Sequence, residues 1–434
     1  MVKEDRLYED VRYEIGDLKT ALLVGCYVKS SDITVCREHI DELEALSNTY
    51  GFKVVSKNPC PLREVQASTY LGKGKIQELV LLADERKADV VVFDDEISPN
   101  QQRYLERLFK RPVVDRTELI LEIFSKRAQT REAKLQVELA KNAYQLPRLK
   151  RLWTHLSRQV ASGKGFLKGE GERQIELDRR IVRDRISRLK KEIKEVRLQR
   201  QVQRRARHRS GIPMFAIVGY TNVGKSTLLR ALTQAHVLVE DKLFATLDTT
   251  VRKFTLPNGQ DILLIDTVGF IRKIPHTLIA AFKSTLEETM YTDILLHLID
   301  VNHPLAEEHG ASTYEVLKEL RIEGKPMITV LNKSDLAPHK KMLGRFKLKY
   351  PRVVTISALR RTGFDELLCM MINAIKDLRK IVKLRISQKE HAVLSKLMDE
   401  GRLMHREFEG NDILIEIEIP AHLENQCRPF MIEE

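Results

Sequence analysis

A chain of 434 residues with 43% hydrophobic and 31% charged residues has the composition of a folded protein of two to four domains, not of a disordered one. No apolar run approaches the roughly eighteen residues of a membrane span, and the charged segment from Met1 to Leu18 carries no signal-peptide pattern. The formal net charge of +13 points to a polyanionic partner, nucleic acid before an anionic membrane. Cys26, Cys36, Cys60, Cys369 and Cys427 are scattered without a CxxC pair or a histidine at metal spacing. They read as free thiols of a cytoplasmic protein and give no zinc site.

From Thr20 the chain alternates short apolar runs with amphipathic stretches. Residues 21–24, 52–55 and 89–93 read as strands, and 33–46 and 75–86 as helices. Strands alternating with helices predict an α/β domain over residues 1–125 with a parallel sheet. Leu71-Gly72-Lys73-Gly74-Lys75 lacks full phosphate-loop spacing and reads as the start of a helix.

Over residues 126–210 the periodicity changes. Leu135, Leu139, Asn142, Leu146, Leu149, Trp153 and Leu156 follow the alternating four-and-three spacing of a coiled-coil seam. Pro147 should kink or break the helix inside that run. A glycine-rich tip at 162–171 separates it from a second seam, Ile175, Val182, Ile186, Leu189, Ile193 and Val196. The pair predicts a long antiparallel helical hairpin. It ends in the basic run Arg197, Arg200, Arg204, Arg205, Arg207 and Arg209, suited to RNA.

Residues 211–380 carry the chemistry. The strand 215–218 runs into Gly219-Tyr220-Thr221-Asn222-Val223-Gly224-Lys225-Ser226, followed by the helix-forming Thr227-Leu228-Leu229-Arg230. This fits the phosphate-binding loop G-x-x-x-x-G-K-S/T between strand and helix. Its glycines let backbone N–H groups turn toward phosphates, and the helix N-terminus adds its positive dipole end. Gly219 through Thr227 are therefore expected to bind nucleotide, with Lys225 on the β- and γ-phosphates and the Ser226 hydroxyl on Mg2+. Asp266-Thr267-Val268-Gly269 follows the strand 261–265. Asp266 is placed to hold Mg2+ through its water shell, and the Gly269 N–H to sense the γ-phosphate. In the segment 244–252, where a first switch belongs, Thr246 is the first candidate for a switch ligand to Mg2+ and Thr250 the second.

Base selection falls to Asn332-Lys333-Ser334-Asp335 at the end of the strand 327–331. A carboxylate at Asp335 accepts from guanine N1–H and its exocyclic amine, and adenine offers neither donor. Asn332 suits the purine edge, the Lys333 stem its face, and Ser357-Ala358 supports the base through the Ala358 backbone. The expected activity is GTP hydrolysis, with Lys225, Asp266 and Gly269 in the catalytic set. Phe270 stands where many GTPases place a water-orienting glutamine. Either it makes intrinsic turnover slow, so that another group completes the site, or it merely packs. Asn222 either helps bind K+ or stabilises the loop.

The last part, 381–434, reads as a small α+β module with a helix at 388–399 and a hairpin of strands 403–409 and 413–419. The fold class is therefore α/β: a P-loop GTPase domain, an N-terminal α/β domain with its helical hairpin, and this C-terminal module.

Phe244-Ala245-Thr246-Leu247-Asp248-Thr249-Thr250-Val251-Arg252 with Asp266-Thr267-Val268-Gly269-Phe270-Ile271 resembles the HflX family of translation-factor-related GTPases. So do Phe93-Asp94-Asp95-Glu96-Ile97-Ser98-Pro99-Asn100-Gln101-Gln102, Asp115-Arg116-Thr117-Glu118-Leu119-Ile120-Leu121 and Lys134-Leu135-Gln136-Val137-Glu138-Leu139-Ala140. The resemblance implies a monomeric, ribosome-associated GTPase that binds the large ribosomal subunit and its RNA and splits stalled or idle ribosomes. The alternative is a GTP-gated, RNA-binding assembly factor without splitting activity. The C-terminal Pro-Phe-Met-Ile-Glu-Glu carries no lipidation motif, against a membrane-linked signalling GTPase. The tip departs from the family pattern: Gly165-Phe166-Leu167-Lys168-Gly169-Glu170-Gly171-Glu172-Arg173-Gln174 has no proline, and Phe166 and Lys168 are its candidates for RNA contact.

Overall fold

The computed structural model describes residues 19–149, 170–209, 212–233, 243–244, 250–273, 289–320, 322, 324–336, 340–387, 390–410, 412–420 and 423–432. The chain forms two units, Met1–Lys194 with Glu240–Asp248 and Lys273–Lys283, and Glu195–Val239 with Thr249–Arg272 and Ser284–Glu434.

In the first unit β1 (Thr20–Tyr27), β2 (Lys53–Pro61), β3 (Val90–Phe93) and β4 (Val113–Asp115) form a parallel sheet in the order β2-β1-β3-β4. All four residues of β3 are buried, as befits a strand covered on both faces. The helices α1 (Ile33–Tyr50), α2 (Lys73–Glu85), α3 (Pro99–Phe109) and α4 (Arg116–Arg127) alternate with the strands. β2 runs six residues beyond its apolar stretch. It lies at the sheet edge, where a strand containing Pro59 and Pro61 is tolerated. The sequence reading passes over α3, although its signal was present. Ser98 accepts the Gln101 N–H at 3.3 Å and Gln101 Oε1 accepts the Ser98 N–H at 2.9 Å, a capping box opened by Pro99.

α5 (Arg131–Gln145) begins at Thr130, whose hydroxyl accepts the Ala133 N–H at 3.2 Å. It buries Leu135, Val137, Ala140 and Tyr144, while Leu139 and Leu146 of the expected seam are half-buried. The helix tightens into a 3-10 turn, Leu146–Arg148, around Pro147, because proline removes a helical N–H. Arg148 locks that turn by donating to Ile97 O at 2.8 Å and Tyr144 O at 3.2 Å. Trp153, Leu156, Phe166, Lys168 and most of the glycine-rich tip lie outside the described residues. α6 (Glu170–Arg209) buries Val182, Leu189 and Ile193, and Arg185 pairs with Glu138 of α5 at 2.7 Å.

The second unit contains a six-stranded sheet in the order β10-β9-β8-β5-β7-β6. Its strands are β5 (Met214–Gly219), β6 (Thr250–Thr255), β7 (Asp261–Asp266), β8 (Ile294–Asp300), β9 (Met327–Asn332) and β10 (Val353–Thr355). All neighbours are parallel except β6 and β7. The helices here are α7 (Lys225–Thr233), α8 (Ala306–Glu319), α9 (Lys340–Lys349) and α10 (Phe364–Leu378).

The C-terminal part is an antiparallel sheet of three strands, β11 (Arg379–Ser387), β12 (Arg402–Glu409) and β13 (Asp412–Pro420), ordered β11-β13-β12. α11 (His391–Glu400) precedes β12. The sequence reading has only two of these strands. The third was legible as alternation: Val382, Leu384 and Ile386 are buried, and Ile381, Lys383 and Arg385 point away from the core.

One core residue of the second sheet makes stability depend on pH. His297 on β8 is fully buried, edge-on to Tyr314 and Tyr350, and burial pushes its pKa down to about 3. The unfolded chain protonates this imidazole near its ordinary value of about 6.5, so the folded state loses ground as pH falls through 6.5 toward 3. Between pH 7 and pH 5 the loss is about 2 kcal/mol. Denaturant melts of His297→Phe should show an acid limb shallower by that amount.

Candidate functional site

The loops that carry the sequence motifs leave the carboxyl ends of β5, β7, β9 and β10, the usual place for a ligand in a parallel α/β sheet. β5 ends at Gly219 and α7 begins at Lys225, so the phosphate-loop motif spans one strand-to-helix turn. Two of its glycines are required by space. At Gly219 (φ +152°) a Cβ would lie 2.4 Å from Leu298 O, and at Gly224 (φ +93°) 2.4 Å from Asn332 Nδ2. Asn222 at the tip is exposed, with φ +59°, a conformation that asparagine tolerates better than most residues.

Lys225 is buried and donates to Tyr220 O at 2.7 Å and Gly219 O at 3.3 Å. Burial pushes its pKa down to about 8, which marks an ammonium held where water solvates it poorly. Ser226 Oγ donates to Asp266 Oδ2 at 2.8 Å. Asp266 ends β7 and is fully buried, and Thr250 at the start of β6 stands opposite it in the antiparallel register. Two oxygen-bearing side chains thus meet at one sheet corner with Thr250 opposite in register, residue types that form a hard donor set suited to Mg2+. Thr246 lies outside the described residues.

The segment after Asp266 is fastened to the phosphate loop. Thr221 N–H donates to Phe270 O at 2.7 Å, Phe270 N–H to Gly219 O at 3.0 Å, and Arg272 N–H to the Tyr220 hydroxyl at 2.8 Å. Tyr220 stacks on His309 of α8 with ring centroids 3.7 Å apart. Gly269 is pressed so closely that an added Cβ would stand 2.8 Å from Thr221 Cγ2 and 2.9 Å from Lys225 Nζ. Phe270 is 2% exposed, so its ring belongs to the core and offers nothing to water.

The base-reading loops are joined to the phosphate loop by one side chain. Asn332 donates from Nδ2 to Val223 O at 2.7 Å and accepts the Ala358 N–H on Oδ1 at 2.9 Å. The Asp335 carboxylate accepts from the buried Ser357 hydroxyl at 2.6 Å, which holds it below the usual carboxylate range. Lys333, at φ +63°, pairs through Nζ with Asp300 at 2.8 Å. Asp300 is absent from the sequence-derived set. Its signal is an aspartate ending the apolar strand 294–299, the same pattern that marked Asp266.

A phosphate loop, a buried aspartate and lysine, and a base-reading pair at the ends of one sheet define the class as a P-loop GTPase. Residues 37–125, 127–207 and 214–333 match family models described as GTP-binding GTPase N-terminal, GTP-binding GTPase Middle Region and 50S ribosome-binding GTPase. The GTPase HflX of Chlamydia pneumoniae is 47% identical over 96% of this chain and 89% of its own. That of Akkermansia muciniphila is 41% identical over 98% and 99%. A solved structure described as SsGBP in complex with GDP is 28% identical with a TM-score of 0.47, covering 83% of this chain and 99% of its own. The chain belongs to the HflX family of GTPases.

Proposed function

We propose that this GTPase binds the large ribosomal subunit through its RNA, dissociates stalled or idle ribosomes in the cytoplasm as a monomer, and hydrolyses GTP fastest when bound there. The observation that supports the ribosomal partner is the match of the GTPase domain to a family described as 50S ribosome-binding. The charge distribution agrees, since α6 has fifteen basic residues against seven acidic ones, the footprint of a phosphate-backbone binder. In this reading the chain works as four parts, 1–125, 126–210, 211–380 and 381–434.

The proposed site roles are these. Lys225 turns from its loop carbonyls to the β- and γ-phosphates, and Gly219 through Thr227 cradle them with backbone N–H groups. Ser226 and Asp266, with Thr250 or Thr246, hold Mg2+, which supplies electrophilic stabilisation of the phosphate oxygens when bound. Asp335 reads the guanine edge, Lys333 covers the base, and Asn332 and Ser357 hold Ala358 and Asp335 in place. Gly269 reports the γ-phosphate through its N–H. With Phe270 buried, the attacking water lacks a glutamine, so the remaining positioning group comes from the ribosome, with K+ near Asn222 as a second contributor.

The test is GTP turnover by the full chain with and without purified large subunits, at low salt, in potassium and in sodium. Stimulation of tenfold or more, lost as salt is raised, is the expected result, and a higher rate in potassium supports the Asn222 assignment. A competent basal rate that large subunits leave unchanged would sink the ribosome-activated reading and favour an assembly factor acting on immature RNA.

A further inference from the structure

The turn after β5 is tied to the residues after β7, since the Thr221 N–H donates to Phe270 O at 2.7 Å and Tyr220 bridges Phe270 in parallel register. That pairing accounts for the Thr221 backbone and leaves its side chain unexplained. Thr221 is 6% exposed, and its hydroxyl oxygen is buried without a hydrogen-bond partner among the described residues. Neighbouring hydroxyls differ: Ser226 donates to Asp266 at 2.8 Å, Thr267 to Ile217 O at 2.7 Å and Ser357 to Asp335 at 2.6 Å. A buried hydroxyl without a partner costs free energy, so such groups are rare and point to a ligand or a catalytic role. The place of Thr221 names the ligand. A Cβ added at Gly269 would lie 2.8 Å from Thr221 Cγ2, 2.9 Å from Thr221 Cα and 2.9 Å from Lys225 Nζ, so the three residues converge. All three belong to the second unit. Thr221 Oγ1 stands on the same Cβ as that Cγ2, beside the N–H and the ammonium that meet the γ-phosphate in the proposed site. A hydroxyl rotates to aim its one donor, and a phosphate oxygen accepts.

We propose that Thr221 is a catalytic residue whose side-chain hydroxyl donates a hydrogen bond to a γ-phosphate oxygen of GTP. The proposal rests on the reading of Gly219 through Thr227 as the phosphate cradle, and it adds a side chain to the cradle's backbone N–H groups. During transfer, charge spreads over the outer oxygens of the phosphoryl group. The hydroxyl is a further donor to them beside Lys225 and Gly269, held where water is excluded. GDP has no γ-phosphate, so the hydroxyl contributes to binding of GTP and not of GDP. Without nucleotide it stays unsatisfied, and the free protein is less stable for it.

The experiment uses the full chain with Mg2+ and no ribosomes, and compares GDP with the non-hydrolysable analogue β,γ-imido-GTP. Thr221→Val keeps the branched outline and removes the hydroxyl, whereas Thr221→Ser keeps the hydroxyl. Thr221→Val is expected to weaken the analogue about tenfold or more, the scale of a hydrogen bond to a charged group. Basal kcat/KM should fall at least as far, and GDP affinity should not change. Thr221→Ser should keep the wild-type preference for the analogue over GDP. Denaturant melts without nucleotide supply a readout separate from activity. The midpoint of Thr221→Val should equal or exceed that of wild type, because no partner inside the fold is lost. Equal losses for GDP and the analogue, or an unchanged analogue affinity, would overturn the proposal. So would a lowered midpoint in the nucleotide-free melt, by showing that the hydroxyl serves the fold. The wild-type affinity for GDP reads the cradle itself, so failure of that reading shows in the wild type and failure of the hydroxyl's role only in the variants.

Discussion

Lys225→Ala is expected to lower GTP turnover by about a thousandfold or more, the loss typical of removing a preorganised charge from a phosphoryl-transfer site. The ammonium is buried and meets only the carbonyls of Gly219 and Tyr220 at hydrogen-bonding distance among the described contacts. A carbonyl cannot replace it on a phosphate, and no other lysine or arginine lies in the loop. Ser226→Ala should fail for a different reason, because it removes the oxygen that faces Asp266 at 2.8 Å. The two variants are told apart by titration with Mg2+: excess metal should partly restore the Ser226 variant and leave the Lys225 variant inactive. Wild-type turnover in either would refute the assignment of this loop.

Asp335→Asn should exchange the base that is read. The carboxylate accepts two hydrogen bonds from guanine, whereas an amide presents one acceptor and one donor and meets the guanine amine with an N–H. The loss of GTP affinity is expected to be about a hundredfold or more, since a charged hydrogen bond is broken and a donor is left opposed. Xanthine carries a carbonyl where guanine carries the amine, so the amide pairs with it and XTP should become the better substrate. Competition of GTP and XTP for the purified variant measures both effects. The Ser357 hydroxyl, 2.6 Å from Asp335, can still donate to an amide oxygen, so the loop should keep its form. Unchanged GTP selectivity would show that Asp335 does not read the base.

The motifs of the GTPase domain were legible because each depends on local chemistry. A strand, a glycine-bearing turn and a helix start must follow one another directly for backbone N–H groups to converge, and Gly219 to Ser226 satisfy that within eight residues. The parallel α/β character of the first part was legible from short apolar runs alternating with amphipathic ones. Among the elements missed, two carried signals that were there, the capping box before α3 and the period-two alternation of β11. The heptad seam read on α5 is only part of its buried surface. Leu135 and Leu149 of the seam are buried and Leu139 and Leu146 half-buried, while Val137, Ala140 and Tyr144, off the seam, are buried as well.

What the sequence by itself determined, then, was the class of protein, a P-loop GTPase, because the motifs that mark it, the phosphate loop and the Asn332–Asp335 run, are each contiguous. The tertiary structure alone decided how separate motifs become one site. Asn332 holds the phosphate loop to the Ala358 loop across 109 and 26 residues of chain. Tyr220 receives the N–H of Arg272 across 52 residues. Such pairings leave no periodicity to read, since they depend on which strand ends the sheet brings together and on buried polar groups finding partners there.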